Sequence, residues 1–167
     1  MTLTFILIRH CKSDWQAGVE DHARPLNARG RRSAPRIGVF LSDLGLIPGE
    51  ILCSDAMRTR ETWAGIADHM PPTPPPTLTR SLYLAEPSQM LAALHGASQP
   101  VVAMVAHNPG SASLAWSLAD APPDHPQFDQ YPTGATTVFT FAESNWSEIG
   151  KGKVAHFAVP RDLPDPV

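Results

Sequence analysis

Leu3-Thr4-Phe5-Ile6-Leu7-Ile8-Arg9-His10 runs from a short apolar segment straight into a guanidinium and an imidazole. An apolar run of this length, Leu3–Ile8, suits a strand buried on both faces, as in a parallel sheet covered by helices. Ligands of such sheets gather beyond the carboxyl ends of the strands. Arg9 and His10 therefore stand at the edge where chemistry is expected. Arg offers a two-pronged donor for phosphate oxygens, and a neutral imidazole serves as nucleophile or base. An Arg-His pair at one strand end also suits plain surface decoration, so its meaning depends on what else the chain brings to that edge.

Working outward, Ile51–Cys53 and Val101–Ala106 are further short apolar runs of the same kind. Between them the spacing predicts helices. Asn27 to Leu44 carries Ala34, Ile37, Val39, Phe40, Leu41 and Leu44 near helical spacing, with Asn27 as cap and Gly45 as terminator. Pro35 predicts a start or a kink near that point. Ala56–Met70 is a second helix, stopped by a segment with five prolines in six residues, Pro71–Pro76, which forms a stiff surface connection. A short edge strand over Thr77–Leu82, helices over Pro87–His95 and Ser111–Leu118, and alternating runs at Thr136–Phe141 and Val154–Val159 complete the pattern. Residues 119–133, polar and rich in proline, suit a loop at the rim of a site. The order implies an α/β fold: a mostly parallel central sheet flanked by helices on both faces, with a late antiparallel strand pair.

The 167 residues have the size of one domain, residues 1–167, and a 43% hydrophobic share suffices for a core. The net charge of -3 excludes a generally basic nucleic-acid binder, and no run is long enough to span a membrane. Charge is uneven: residues 1–60 carry a balance of +3 and residues 120–167 one of -4. The excess suits an anionic ligand near Arg9, although a solvated helix face accounts for Arg29, Arg31, Arg32 and Arg36 equally well. Two cysteines, Cys11 and Cys53, lie beside apolar runs outside any disulfide or CxxC pattern, and no basic leader precedes the first strand. A cytoplasmic protein is expected.

Two more strand ends carry chemistry. Ser54-Asp55-Ala56-Met57-Arg58 leaves the second strand for a helix, so backbone N–H groups and the Arg58 fork can meet an anion there. His107-Asn108-Pro109-Gly110 follows Val101–Ala106 and places a second imidazole before another helix. Phosphoryl transfer needs fixed positive donors and an in-line nucleophile. Arg9, Arg58 and His107 suit the first need and His10 the second, kept neutral by surrounding cations. Ser54 is expected as a helix cap or phosphate contact, Lys12 and Ser13 as phosphate ligands or loop caps, and Trp15 and Arg24 as candidates to touch substrate. Cys11 is expected as a small buried side chain. The seven histidines show neither HExxH nor close pairing with Cys or carboxylates, so no metal is expected.

Ile8-Arg9-His10 with Lys12-Ser13, Ser54-x-x-x-Arg58-x-x-x-Thr62 and His107-Asn108-Pro109 resemble the histidine phosphatase superfamily, the phosphoglycerate mutase-like fold. Arg-His-Cys-Lys-Ser-Asp-Trp at 9–15, Arg24-Pro25-Leu26 and Arg29-Gly30, and the lack of a long inserted cap look closest to its SixA-type phosphohistidine phosphatase branch. The resemblance spans roughly residues 3–160. It implies His10 as the phosphorylated nucleophile, Arg9, Arg58 and His107 as the phosphate pocket, Asn108 among the binding residues, and no cofactor. Cys11 departs from the small Ala or Gly usual there. Many relatives carry a general-acid carboxylate after the third strand; here Glu86 is the candidate, with Asp14 and Asp21 as rivals. An ester phosphatase without a placed acid loses about 10²–10⁴ in rate, whereas a protonated phosphohistidine can leave as neutral imidazole. A phosphohistidine-bearing signalling protein is therefore the expected partner. The alternatives are a small phosphate ester, or a phospholigand-binding module without turnover.

Overall fold

A computed structural model describes residues 2–166 of the chain. The opening run forms β1 (Leu3–Arg9), followed by β2 (Glu50–Ser54), β3 (Thr77–Thr79), β4 (Val101–Ala106), β5 (Thr136–Phe141) and β6 (Lys153–Ala158). All six join one sheet in the order β3-β2-β4-β1-β5-β6. β1, β4, β2 and β3 are mutually parallel, and β5 runs antiparallel to both of its neighbours. The mostly parallel sheet with a late antiparallel pair thus agrees with the sequence pattern. The expected edge strand over Thr77–Leu82 is shorter, because Arg80–Leu82 turn into one 3-10 turn.

The helices α1 (Ala28–Asp43), α2 (Met57–Ala67), α3 (Pro87–His95) and α4 (Gly110–Leu118) cover both faces. Alternation along the strands sorts the core into two layers. Phe5 and Leu7 of β1, Met104 of β4 and Phe139 of β5 pack with Met90 and Leu94 of α3 and Leu114 of α4. Ile6 and Ile8, with Ile51 and Val105, pack instead with Ile37 and Leu41 of α1 and Trp63 and Ile66 of α2. Each such fully buried side chain contributes about 1.5–3 kcal/mol. Among the described residues, no helix is long and apolar enough to cross a membrane.

Pro35 neither starts nor interrupts α1, contrary to the expectation from its ring. The helix runs on through it, and Asn27 caps the N-terminus by accepting from the Gly30 amide at 2.9 Å. Packing against α2 explains the continuity. A β-carbon at Gly38 would lie 2.3 Å from the Ile66 carbonyl, and one at Gly65 2.7 Å from Ala34 Cβ, so α1 and α2 meet backbone to backbone around the proline. The missing amide donor costs less than giving up that contact and the burial of Ile37 and Leu41.

The chain after β1 doubles back before α1. Asp14 donates its amide to the Pro25 carbonyl at 2.8 Å and Asn27 to the Lys12 carbonyl at 3.0 Å, while Ser13 and Leu26 bridge. Gly30 permits this: a β-carbon there would sit 2.1 Å from the Lys12 carbonyl oxygen. The segment that follows His10 is thereby clamped between the sheet edge and the first turn of α1.

Candidate active site

β1, β2 and β4 are neighbours, so their carboxyl ends bring His10, Ser54 and His107 to one edge. A cleft of about 270 Å³ opens there, lined by Arg9, His10, Lys12, Ser13, Trp15, Asp21, Arg24, Arg58, Leu84, His107, Asn108 and Thr133. Every one of the four residues singled out as catalytic from the sequence lies on it.

His10 is almost fully buried, and its Nδ1 lies 2.7 Å from the Cys11 carbonyl oxygen. A carbonyl only accepts, so Nδ1 carries the proton and Nε2 keeps its lone pair. Burial pushes the imidazole pKa down to about 3; the Cys11 carbonyl opposes this, and the charges of Arg9, Arg58 and Arg24 add to it. Burial is thus the larger cause, where the sequence suggested cations alone. The backbone beneath the ring is fixed by Thr62, whose hydroxyl accepts the Cys11 amide at 2.9 Å and donates to the Arg58 carbonyl at 2.7 Å. The Cys11 thiol is buried and pushed up to about 12, chiefly by desolvation, which makes it an unreactive packing group.

His107 lies 5.3 Å from His10 between ring centroids. Its Nε2 is 2.8 Å from the Ser54 hydroxyl, which also accepts the Ala56 amide at 3.3 Å. With one lone pair taken by that amide, the hydroxyl can give its proton to Nε2, which leaves Nδ1 of His107 protonated. Nδ1 is buried without a partner among the described residues. Burial first, then the neighbouring His10 and Arg58, lower this imidazole to about 3 as well. Ser54 is fully buried behind His107 and does not line the cleft. Its expected contact with phosphate is therefore corrected to a positioning bond. The α2 N-terminus likewise contributes only the Arg58 side chain to the cleft.

Arg58 is buried, donating Nη1 to the Asp21 carbonyl at 2.8 Å and Nη2 to the Asp21 carboxylate at 3.1 Å. Arg24 donates Nε to the same carboxylate at 3.1 Å and Nη1 to the Ser13 hydroxyl at 2.7 Å, and the exposed Trp15 ring lies 3.6 Å from its guanidinium carbon. Arg9 donates Nη1 to the Tyr131 carbonyl at 3.1 Å; burial and then Arg58 lower its pKa. Nε of both Arg9 and Arg58 is buried without a partner among the described residues, so each retains donor capacity. Asn108 lines the cleft while fastening its rim, donating to the Gln130 and Tyr131 carbonyls at 3.2 and 2.9 Å. The end of the 119–133 segment thereby reaches the cleft and holds Arg9.

Glu86 is displaced from the role expected for it. It is exposed at the start of α3, where its amide donates to Gln89 Oε1 at 2.9 Å, and it is absent from the cleft lining. The local reason is Pro87, which begins α3 and commits Glu86 to the cap position. Asp14 is engaged in its own turn, accepting from the Gln16 amide at 2.7 Å. Among the described residues, Asp21 alone supplies a carboxylate to the cleft. A hydrogen bond from Tyr83 chiefly, then bonds and charge from Arg24 and Arg58, hold it down at about 2. It is ionised at neutral pH and has no proton to give. Tyr83 and Leu84 were not singled out as site residues, and no sequence spacing marks them; Thr62 entered only through its spacing from Ser54 and Arg58, with no role assigned to it. Among the described residues, no group of three or more His, Cys, Asp and Glu side chains is arranged to hold a metal ion.

Comparison with known proteins bears on the family and the fold. The profile of the histidine phosphatase superfamily (branch 1) matches residues 5–82. An uncharacterized protein of Mycobacterium tuberculosis is 31% identical over 163 residues, covering 92% of this chain and 100% of the relative. The structure is similar to SixA from Nakamurella multipartitia, with a TM-score of 0.79, 24% identity and coverage of 96% of this chain and 97% of that chain. It is also similar to the protein histidine phosphatase SixA complexed with tungstate, with a TM-score of 0.78, 20% identity and coverage of 96% and 99%.

Proposed function

The chain belongs to the histidine phosphatase superfamily and is a hydrolase of that family, and on this premise we propose that it removes phosphoryl groups from phosphohistidine through a covalent intermediate on His10. The observation that carries the reading is the bond between His10 Nδ1 and the Cys11 carbonyl, which leaves a neutral ring with the Nε2 lone pair free. Nε2 attacks phosphorus, and the P–N bond to the substrate imidazole breaks. That imidazole enters protonated on its other nitrogen and departs neutral, so it requires no acid from the enzyme. Water then attacks the phosphorylated His10, the Nε2–P bond breaks, and phosphate leaves with the water proton. Arg9, Arg58 and Arg24, with Nδ1–H of His107, surround the three equatorial oxygens, whose charge they stabilise in both steps. Ser13 positions Arg24, and Asn108 positions the rim.

The phosphohistidine choice is supported by the carboxylate inventory. Among the described residues Asp21 is the cleft's sole carboxylate, and it is ionised, so an alkoxide leaving group finds no placed carboxyl proton there. The test is phosphate release, without added metal, from a phosphohistidine-bearing protein beside a panel of small phosphate esters, for wild type and His10→Ala. Protein-selective release that vanishes in the variant is expected. Strong turnover of one small ester with none of the protein would move the assignment to metabolite hydrolysis. Silence on every substrate, with phosphate still bound, would leave a binding module.

A further inference from the structure

Beside the cleft lies a second cationic feature that the phosphoryl chemistry does not use. Arg29, Arg32 and Arg36 follow one another at three and four residues along α1 and so share a face. With Ser33, Pro160 and Arg161 they line a groove of about 230 Å³. An adjoining depression shares Arg29, Ser33, Pro160 and Arg161 and continues to Thr133, which also lines the cleft. On the other side, the first turn of α1 abuts the Lys12 carbonyl through Gly30, and Lys12 is again a cleft residue. The phosphate pocket and the groove therefore adjoin, through Thr133 on one side and through the Lys12–Gly30 backbone approach on the other.

Four guanidiniums on one groove repel one another unless an anion lies among them. Of the four, only Arg36 has an acidic partner among the described residues: Asp165, which accepts from Nε at 2.8 Å and Nη2 at 2.6 Å. Arg29, Arg32 and Arg161 have none. The pairing is informative in itself. Asp165 belongs to an irregular stretch of chain after the Pro160–Asp162 turn, so this face already accommodates a carboxylate presented by non-helical polypeptide.

We propose that the groove between α1 and the Pro160–Asp162 turn is a docking site for an acidic stretch of the phosphorylated polypeptide whose phosphoryl group enters the cleft. The proposal rests on a polypeptide being the substrate, as put forward above. A partner of this charge gains from steering by the basic groove as well as from the final contacts. It also accounts for three of the four arginines of α1 sharing the face that lines the groove.

The experiment uses two short synthetic phosphohistidine peptides, one flanked by Asp and Glu and a twin flanked by Asn and Gln, together with inorganic phosphoramidate. Wild type is expected to show a kcat/KM roughly tenfold higher for the acidic peptide, the difference lying in KM, since three exposed ion pairs of ordinary strength amount to that factor. The triple variant Arg29→Gln, Arg32→Gln, Arg161→Gln should treat the twins alike and hydrolyse phosphoramidate at the wild-type rate, which also shows that it is folded. Equal turnover of the twins by wild type, or a matching loss on phosphoramidate in the variant, would overturn the docking site while leaving the phosphohistidine chemistry intact. Should neither peptide react while small esters do, the functional reading fails instead, and a fluorescently labelled, non-phosphorylated acidic peptide decides about the groove. Salt-sensitive binding to wild type that is lost in the variant supports it, and no binding overturns it.

Discussion

The Cys11 carbonyl selects the tautomer of His10, and burial keeps that ring neutral; the same two influences have a cost that appears in the pH dependence of folding. In the unfolded chain both His10 and His107 titrate near the ordinary value of about 6.5. In the native protein both are held at about 3, chiefly by desolvation. Between these values the unfolded state binds more protons than the native state, so stability is complete above pH about 6.5 and is lost as pH falls toward 3. Once the unfolded imidazoles are protonated, each contributes a slope of about 1.4 kcal/mol per pH unit. Urea unfolding at pH 7, 6 and 5 should show a falling midpoint for wild type. In the His10→Gln, His107→Gln double variant much of that decline should disappear. A wild-type midpoint that stays flat from pH 7 to 5 would contradict the burial assigned to both rings. Asp21 does not confuse the window, because its carboxylate, held at about 2, withdraws its contribution only below the ordinary carboxylate range.

Among the elements, α1 carries two burdens at once: it covers one face of the sheet, and its first turn braces the segment that follows His10. The sequence announced this helix through its apolar spacing and the Asn27 cap, yet Pro35 suggested a start or a kink, whereas the helix starts at Ala28 and runs on through it. The local rule failed because the decisive contacts are between helices. Gly38 and Gly65 let α1 and α2 approach backbone to backbone, and a pattern along one helix cannot register its partner. Gly30 exerts the stronger constraint on function. A β-carbon there would stand 2.1 Å from the Lys12 carbonyl, which is backbone and cannot rotate away. Gly30→Ala should destabilise by about 1–3 kcal/mol, as overpacked substitutions do, and should also lower kcat, since any relief displaces the chain next to His10. Thermal unfolding and steady-state kinetics on the same sample check both. A variant with lowered stability and unchanged kcat would separate the α1 brace from the site.

Across the whole molecule, the part of the site legible in the sequence is the part the fold brings together by strand order. Arg9 closes β1, while His10, Arg58 and His107 follow β1, β2 and β4, and adjacent strands in a parallel sheet deliver their ends to one edge. What stayed illegible depends on side chains that meet through space: Asp21 reaches Arg58 across 37 residues and Tyr83 across 62. The same tertiary contacts decide the substrate range. Glu86 is drawn off to begin α3, Asp14 closes its own turn, and Asp21 is ionised between two guanidiniums and a phenol. Among the described residues, therefore, no protonated carboxyl group is presented to a leaving oxygen. Esters should be ranked by how well the leaving group departs unaided. A nitrophenyl phosphate, whose phenolate is stable near neutral pH, should be hydrolysed about 10²–10⁴ times faster than an alkyl phosphate of similar size, the factor that a placed general acid normally supplies. Measured kcat/KM values across a series of aryl and alkyl phosphates test this. A steep dependence on leaving-group pKa is the expected result, whereas a flat series would reveal a proton donor, with Tyr83 beside Asp21 as the first residue to replace by Phe.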